Sequence, residues 1–396
     1  MGKRRNLQRG QRSGDASQPG SFDSFYYVTL RNGRSVTFMI CGITSGFLRL
    51  LLCAVLACTW FPAGNCNAER TVLQQPPKSA TRTGRTTLGV TGTEFTVNGR
   101  SAFLVGISYY AGLGATEAVL RRDLATIKRD GFRWLRVWAV CDFYDNDVSA
   151  VDGSGNPREP YLTRLKTLVA ACDRQGLIVD VTLTRGSGAA PHLASLTDLN
   201  RAVETVVTEL KPYRNWYLDL ANERNVGDRR FVSFDELKPL RETVRRLDPD
   251  RLVTASEGGD IGRDELRDYL LTARVDFVCP HRPRDRNSPA QTEAKTRELL
   301  AWMKEMGRVV PVHYQEPLRR GYTDWQPSAE DFAADMKAAQ TGGAAGWCFH
   351  NGGTRGVKDG RPRRSFDLRD GSLFDQLDAE ERGFIERFVR KREAKP

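Results

Sequence analysis

Between residues 103 and 390, short apolar runs alternate with longer stretches whose apolar positions recur at three- and four-residue intervals. The runs cover 103–109, 134–139, 177–183, 216–220, 252–256, 275–279, 309–314 and 346–350. A helical pattern follows each one, over 116–129, 161–175, 197–210, 234–247, 263–271, 291–306, 329–340 and 373–390. Near-continuous apolar strands between amphipathic helices are what a parallel sheet covered on both faces requires. Eight such units in about 290 residues predict an α/β chain folded as a (β/α)8 TIM barrel. The alternative is an open doubly wound sheet, but no Gly-x-Gly-x-x-Gly follows the first run, which weighs against a dinucleotide site. Ahead of the barrel, residues 89–102 contain Phe95-Thr96-Val97-Asn98-Gly99-Arg100, which predicts a short N-terminal β-hairpin turning at Asn98-Gly99.

Residues 1–68 have a different character and are expected to direct export. The first 37 are basic, rich in Gly, Ser and Gln, and lack an apolar period. The run Leu50-Leu51-Leu52-Cys53-Ala54-Val55-Leu56-Ala57 resembles the core of a secretory signal and is shorter than the roughly 20 residues that span a bilayer. Met39 is a plausible true start, Asn67-Ala68 a cleavage site, and Val55-Leu56-Ala57-Cys58 a lipobox that would anchor the chain through Cys58. Secretion, a periplasmic lipoprotein and an uncleaved anchor all place the mature domain outside the cytoplasm, with no membrane span of its own. Residues 69–86 read as a linker, and 87–396 as the barrel domain, expected to be a monomer.

The chain holds 60 Lys and Arg against 49 Asp and Glu, a net charge of +11. Eight of those cations and only two of the acids fall in residues 1–68, so the remainder carries about half of the excess, dispersed along helices of mixed sign. No basic stripe results, and a nucleic-acid partner is not expected. Cys141, Cys172, Cys279 and Cys348 share no Cys-x-x-Cys spacing and are expected to be buried free thiols.

In a barrel the chemistry sits at the C-terminal ends of the strands. Glu223 follows the fourth run and Glu316 the seventh, which puts two carboxylates across the mouth from one another. One protonating a leaving oxygen while the other attacks the anomeric carbon is the minimum for glycoside hydrolysis with retention. Tyr109, Trp138 and Trp347 fall at other strand tips, where aromatic faces suit pyranose rings.

With Asn222-Glu223, Glu316, and the opening Phe-Thr-Val-Asn-Gly-Arg-Ser-Ala-Phe-Leu-Val-Gly-Ile-Ser-Tyr-Tyr over 95–110, the chain resembles clan A of the glycoside hydrolases, most of all the cellulases and mannanases of family 5 and its neighbours. The likeness covers about residues 88–390. It implies a retaining enzyme acting on a β-linked oligo- or polysaccharide without a cofactor or metal. Glu223 would be the acid/base, beside Asn222, and Glu316 the nucleophile. Arg136 would hold that nucleophile ionised, His281 would stand after the sixth strand, and Trp347 would be the sugar platform. Two positions depart from the family. Thr184 and Arg185 stand where a third-strand histidine is expected, with His192 nearby, and Pro283 replaces a tyrosine whose hydrogen bond Tyr314 is expected to supply.

Two other functions stay open at this stage. A barrel that binds glycan without turning it over would fit the missing histidine. A metal-dependent hydrolase would need a clustered ligand set, whereas His192, His281, His313 and His350 are dispersed. Finally, the stretch 351–372 forms a long loop after the eighth run, and its Arg355, Arg361, Arg363 and Arg364 hint at an acidic glycan.

Overall fold

The computed structural model describes residues 86–183, 193–226 and 231–393, together with the strand pair Tyr26–Thr29 and Ser35–Phe38. The chain divides into two compact units, Met1–Gln75 and Pro76–Pro396. In the first, the β-branched and aromatic residues of Tyr26–Thr29 and Ser35–Phe38 pair antiparallel, within a stretch whose sequence carries no regular apolar period. Met39, the apolar run, the cleavage and lipobox motifs with Cys58, and most of the linker lie outside the described residues.

In the second unit the eight expected strands pair in parallel. The strands are β1 (Leu104–Ser108), β2 (Trp134–Trp138), β3 (Ile178–Thr182), β4 (Trp216–Asp219), β5 (Val253–Thr254 and Ser256–Gly258), β6 (Cys279–His281), β7 (His313–Tyr314) and β8 (Gly346–Phe349). Each of the first four pairs with the next, and β4 pairs with the first half of β5. At Ala255 strand β5 changes partner, and its second half pairs with β6. A bridge from Val278 to Val312 carries the ladder to β7, which pairs with β8, and β8 returns to β1. The ring of pairings thus ends where it began.

The helices between them are α1 (Glu117–Arg129), α2 (Tyr161–Gln175), α3 (Leu196–Leu210), α4 (Phe234–Leu247), α5 (Arg263–Arg267, prolonged by a π-turn to Thr272), α6 (Ser288–Glu305), α7 (Ala329–Gly342) and α8 (Ala379–Glu393). Reciprocal Ser–acid capping boxes open three of them, at Ser195, Ser233 and Ser328. The last helical pattern runs from 373 in the sequence, but the chain breaks it after Leu373–Gln376. Asp378 and Glu381 exchange side-chain and backbone hydrogen bonds there, so α8 starts afresh at this Asp-x-x-Glu box.

Strand residues alternate between two environments. Leu104, Trp134, Ile178, Tyr217, Phe277, Cys279, Ala345 and Cys348 form one buried cluster inside the ring, which a second set of residues separates from the helices. Leu88 and Phe95 belong to the inner cluster, and the Phe95 ring meets Phe277 at 5.0 Å and His313 at 5.1 Å. They come from a three-stranded antiparallel sheet, Leu88–Thr91, Glu94–Val97 and Arg100–Ala102, which closes the N-terminal end of the barrel. The sequence expectation over 89–102 counted one turn; the chain makes a second one at Gly92, whose φ of +59° suits glycine. Cys141, Cys172, Cys279 and Cys348 are buried and free, and burial pushes their thiols upward.

Candidate active site

The same alternation that fills the barrel with apolar side chains near its base brings polar ones inward near its mouth. On β2, Trp134 is inward at the base, Arg136 two residues on, and Trp138 at the rim. Arg136 is fully buried and its guanidinium meets three carboxylates, one each from β3 and β4 and one from just past β7. Nη1 donates to Glu316 Oε1 at 2.6 Å, Nη2 to Asp219 Oδ2 at 2.8 Å, and Nε lies 3.1 Å from Asp180 Oδ2. Nη2 also donates to Asn222 Oδ1 at 3.0 Å and Nε to Thr182 Oγ1 at 3.1 Å.

Three acids around one cation do not all ionise freely. Burial, with Asp219 nearby, pushes Asp180 up to about 7 against the pull of Arg136, and burial raises Asp219 as well. Glu316 goes the other way: burial would raise it, but His281 and Arg136 outweigh burial and bring it down to about 2. Of the three, the carboxylate at the mouth is therefore the one held most firmly ionised.

Glu223 approaches from the turn after β4. Its backbone is left-handed, with φ +44°, an unfavourable state for a residue with a Cβ, and its N–H donates to Ser256 Oγ at 3.0 Å. Gly258 keeps the space beside it open, since a Cβ there would collide with Val226 and stand 3.5 Å from the Glu223 Cβ. His281, at the tip of β6, faces both glutamates: Nδ1 lies 3.2 Å from Glu223 Oε1 and 3.6 Å from Glu316 Oε2. Nδ1 donates to the Glu223 carboxylate, while Nε2 lies 3.2 Å from Arg136 Nη1 and 3.4 Å from Gln315 Oε1.

Arg284 completes the arrangement and was not foreseen. Its Nη2 donates to Glu316 Oε2 at 2.9 Å and to Glu223 Oε1 at 3.3 Å, joining the two acids. Against burial, the His281 hydrogen bond and the charge of Arg284 hold Glu223 well below the usual carboxylate range. The sequence shows Arg284 only as a third residue after His281, with nothing in its surroundings to single it out. Asp180 and Asp219 were legible in principle, as acids at inward positions of otherwise apolar strands.

Of the residues marked by sequence, the structure brings Glu223, Glu316, Asn222, Arg136 and His281 into one cluster. Three others point elsewhere. Tyr109 is outward just past β1 and its hydroxyl donates to Asp123 of α1 at 3.0 Å. Tyr314 is outward on β7 and bonds Thr296 of α6 at 2.7 Å, so the bond expected of it near Glu316 comes from Arg284 instead. Trp347 is outward on β8, fully buried, and donates to Asp335 of α7 at 2.7 Å, which removes it as a sugar platform. All three follow from period two: each neighbours an inward residue. Tyr110, next to Tyr109, and His350, three residues after Trp347, take the mouth positions, with His350 Nε2 at 3.6 Å from Glu316. Trp138 is at the rim but 4% exposed, stacked on Tyr110 at 4.1 Å and under Phe366 of the long loop. His313 lies at the base, Nε2 3.1 Å from the Tyr217 hydroxyl. Thr184, Arg185 and His192 lie outside the described residues.

The loop 351–372 crosses back over the mouth toward β1. Asn351 donates to the Ser108 carbonyl at 3.1 Å, and Ala111 N–H to Ser365 O at 2.8 Å. Arg364 is internal, bound to Glu381 at 2.9 Å, and Arg363 pairs with Asp367 at 2.9 Å, so neither offers a free charge to a ligand.

Glu223, His281 and Glu316 each have a ligand atom within 4.8 Å of the others, a spacing that suits a metal ion. Two guanidinium groups already hold both carboxylates, however, and a cation between them would face Arg136 and Arg284 directly. The donor set fits a hydrogen-bonded acid pair better. Such a pair, one acid deep beside Arg136 and the other on the turn after β4, is equipped to attack and, once Glu223 takes up a proton, to exchange protons.

No family model and no curated protein matches the sequence. Solved structures do match the fold. A protein from Bacteroides vulgatus described as a glycoside hydrolase superposes with a TM-score of 0.59 at 17% identity, over 79% of this chain and 62% of that one. The present chain thus spans under two thirds of that protein's length. The endo-1,4-β-mannanase of Rhizomucor miehei gives a TM-score of 0.59 at 13% identity, over 78% of this chain and 100% of the mannanase. A family 5 glycoside hydrolase from B. vulgatus gives 0.57 at 15% identity, over 77% and 70%. The chain has the TIM-barrel fold of the glycoside hydrolases, with a family 5 protein and a mannanase among its structural neighbours.

Proposed function

We propose that this chain is a retaining glycoside hydrolase that cleaves a β-linked glycan by double displacement, with Glu316 as nucleophile and Glu223 as acid/base. The observation that carries the reading is the pair itself: oxygens of Glu223 and Glu316 lie within 4.8 Å, close to the roughly 5–5.5 Å separation of retaining enzymes and short of the gap that inversion leaves for a water. Glu316 Oε2 attacks the anomeric carbon as Glu223 gives its proton to the departing glycosidic oxygen, leaving a glycosyl ester on Glu316. Glu223, now ionised, takes a proton from water, whose oxygen displaces Glu316 from the same carbon. Asn222, held by Arg136, is placed to donate its amide to the sugar 2-hydroxyl.

In the unliganded site His281 and Arg284 keep Glu223 ionised, so the first proton can be given only after the guanidinium has moved or found another anion and Glu223 has taken a proton up. The same contact favours the second reading, a barrel that binds glycan without turnover. Export through residues 1–68, by cleavage or by lipidation of Cys58, belongs to the proposal too and suits an enzyme of extracellular glycans.

Reducing-sugar release from β-glucans, β-mannans, xylans and acidic glycans, by the full chain beside Glu223→Gln and Glu316→Gln, tests the reading. Turnover lost in both variants is expected. Binding of one glycan without release of reducing ends would favour the binding barrel, and activity that survives Glu316→Gln would remove the assigned nucleophile.

A further inference from the structure

Among the described residues at the mouth, Arg319 is a buried cation that no acid neutralises. Arg319, just past β7, is 8% exposed, yet its Nε has no hydrogen-bond partner and no carboxylate pairs with it among the described residues. Every other deeply buried arginine near the mouth has an anion: Arg136 has Glu316, Asp180 and Asp219, Arg284 has both glutamates, and Arg364 has Glu381. A buried guanidinium without a counter-ion is unfavourable in a folded chain unless something else supplies the charge.

Its place is built rather than incidental. Gly352 gives it room, because a Cβ there would overlap the Arg319 guanidinium and the Phe366 ring. Tyr322 forms the wall, with Arg284 at 4.6 Å from the ring centroid, Arg319 at 4.7 Å and Arg355 at 5.1 Å. Three guanidinium groups around one ring repel each other, and the ring quadrupole offsets only part of that. Burial and the proximity of Arg284 accordingly lower Arg319 to about 10. A neutral hexose would leave this excess uncompensated. A planar carboxylate matches it, accepting paired N–H bonds from the guanidinium edge.

We propose that Arg319, with Arg284 and Arg355 around Tyr322, binds the carboxylate of a uronic acid residue seated at or beside the cleavage point. This rests on the glycosidase reading and names its substrate class as an acidic β-linked glycan. It also gives Arg284 a second anion, so that the substrate itself draws the guanidinium from Glu223 and lets that acid take up a proton. The arginines responsible are not the set suggested by composition: of the four on the long loop, only Arg355 faces this site.

The test compares β-linked oligosaccharides of glucuronic acid with those of glucose, matched in length and linkage, and adds O-sulfated oligoglucosides. The full chain, Arg319→Gln and Arg319→Lys are assayed for kcat/KM and, on a Glu316→Gln background, for binding by calorimetry at two salt concentrations. Thermal unfolding shows that each variant folds. The acidic oligomer should be preferred at least about tenfold, the ratio of acidic to neutral kcat/KM should fall about tenfold or more in Arg319→Gln, and Arg319→Lys should restore part of it. Preference for neutral oligomers, or an unchanged ratio in Arg319→Gln, would overturn the inference while turnover that needs Glu316 left the glycosidase standing. Equal use of sulfated and uronate oligomers would overturn the carboxylate assignment. If nothing is turned over, the glycosidase reading fails by itself. The carboxylate site then stands on salt-sensitive binding of the uronate oligomer that Arg319→Gln abolishes, and falls without it.

Discussion

Arg284 donates to Glu316 at 2.9 Å through the same nitrogen that reaches Glu223 at 3.3 Å, so one guanidinium ties the two carboxylates of the site together. Glu316 has a second cation behind it in Arg136, whereas among the described residues Glu223 is bonded by the His281 N–H and Arg284. Removing Arg284 therefore acts mainly on the acid/base.

That asymmetry has a kinetic consequence. In the free enzyme Glu223 is held well below the usual carboxylate range, so the basic limb of kcat/KM should fall at lower pH than that of kcat, where substrate has engaged Arg284. Arg284→Met should move the limb of kcat/KM to higher pH, toward that of kcat. Coincident limbs in the wild type, unmoved by the substitution, would refute this role.

Arg136 is expected to hold the fold as well as the nucleophile. Arg136→Met leaves three buried acids, Asp180, Asp219 and Glu316, without their common cation. A loss of about 3–5 kcal/mol is expected from breaking a buried ion pair on one side. Urea unfolding reads it directly, and a loss below about 1 kcal/mol would show that the cluster is not the electrostatic centre described.

The pH dependence of stability should carry two opposite signatures. Glu316 is depressed, so its contribution is present above its unfolded value, roughly 4.3, and is lost as pH falls toward about 2. Asp180 is raised to about 7, so the unfolded chain releases its proton first and stability declines as pH rises from roughly 4 to 7. Asp180→Asn should flatten that decline. Melting temperatures measured from pH 4 to 8 in both proteins give the answer, and parallel curves would contradict the assignment.

Trp347 makes a negative case. Because its indole donates to Asp335 behind the barrel wall, Trp347→Phe should cost about 1–3 kcal/mol of stability while kcat/KM stays within about twofold. A fall of tenfold or more in kcat/KM, at unchanged stability, would return the indole to the mouth.

The barrel was legible because eight apolar runs and eight amphipathic stretches repeat one unit, and parallel strands leave little else for such a pattern to form. Glu223 and Glu316 were marked for a related reason, since strand ends are where barrel chemistry collects, while Asn222, Arg136 and His281 were marked through the resemblance, and all five meet in one cluster. What failed was parity. Tyr109, Tyr314 and Trp347 each lie one residue from an inward position, and a slip of one turns a side chain from the mouth to the helices. Arg284 and Arg319 were hidden differently. They sit in loops without period, and only three-dimensional closure shows that one bridges two acids and the other has none.

The central claim, double displacement at Glu316 with Glu223 as acid/base, is tested most directly by proton NMR of the sugar first released. A β-linked oligosaccharide that the enzyme turns over is followed from the first minute, before the new reducing end mutarotates. The account predicts that the β-anomer appears first and that Glu316→Gln releases none. An α-anomer appearing first would mean inversion, with Glu316 as a base for water, and would contradict the mechanism.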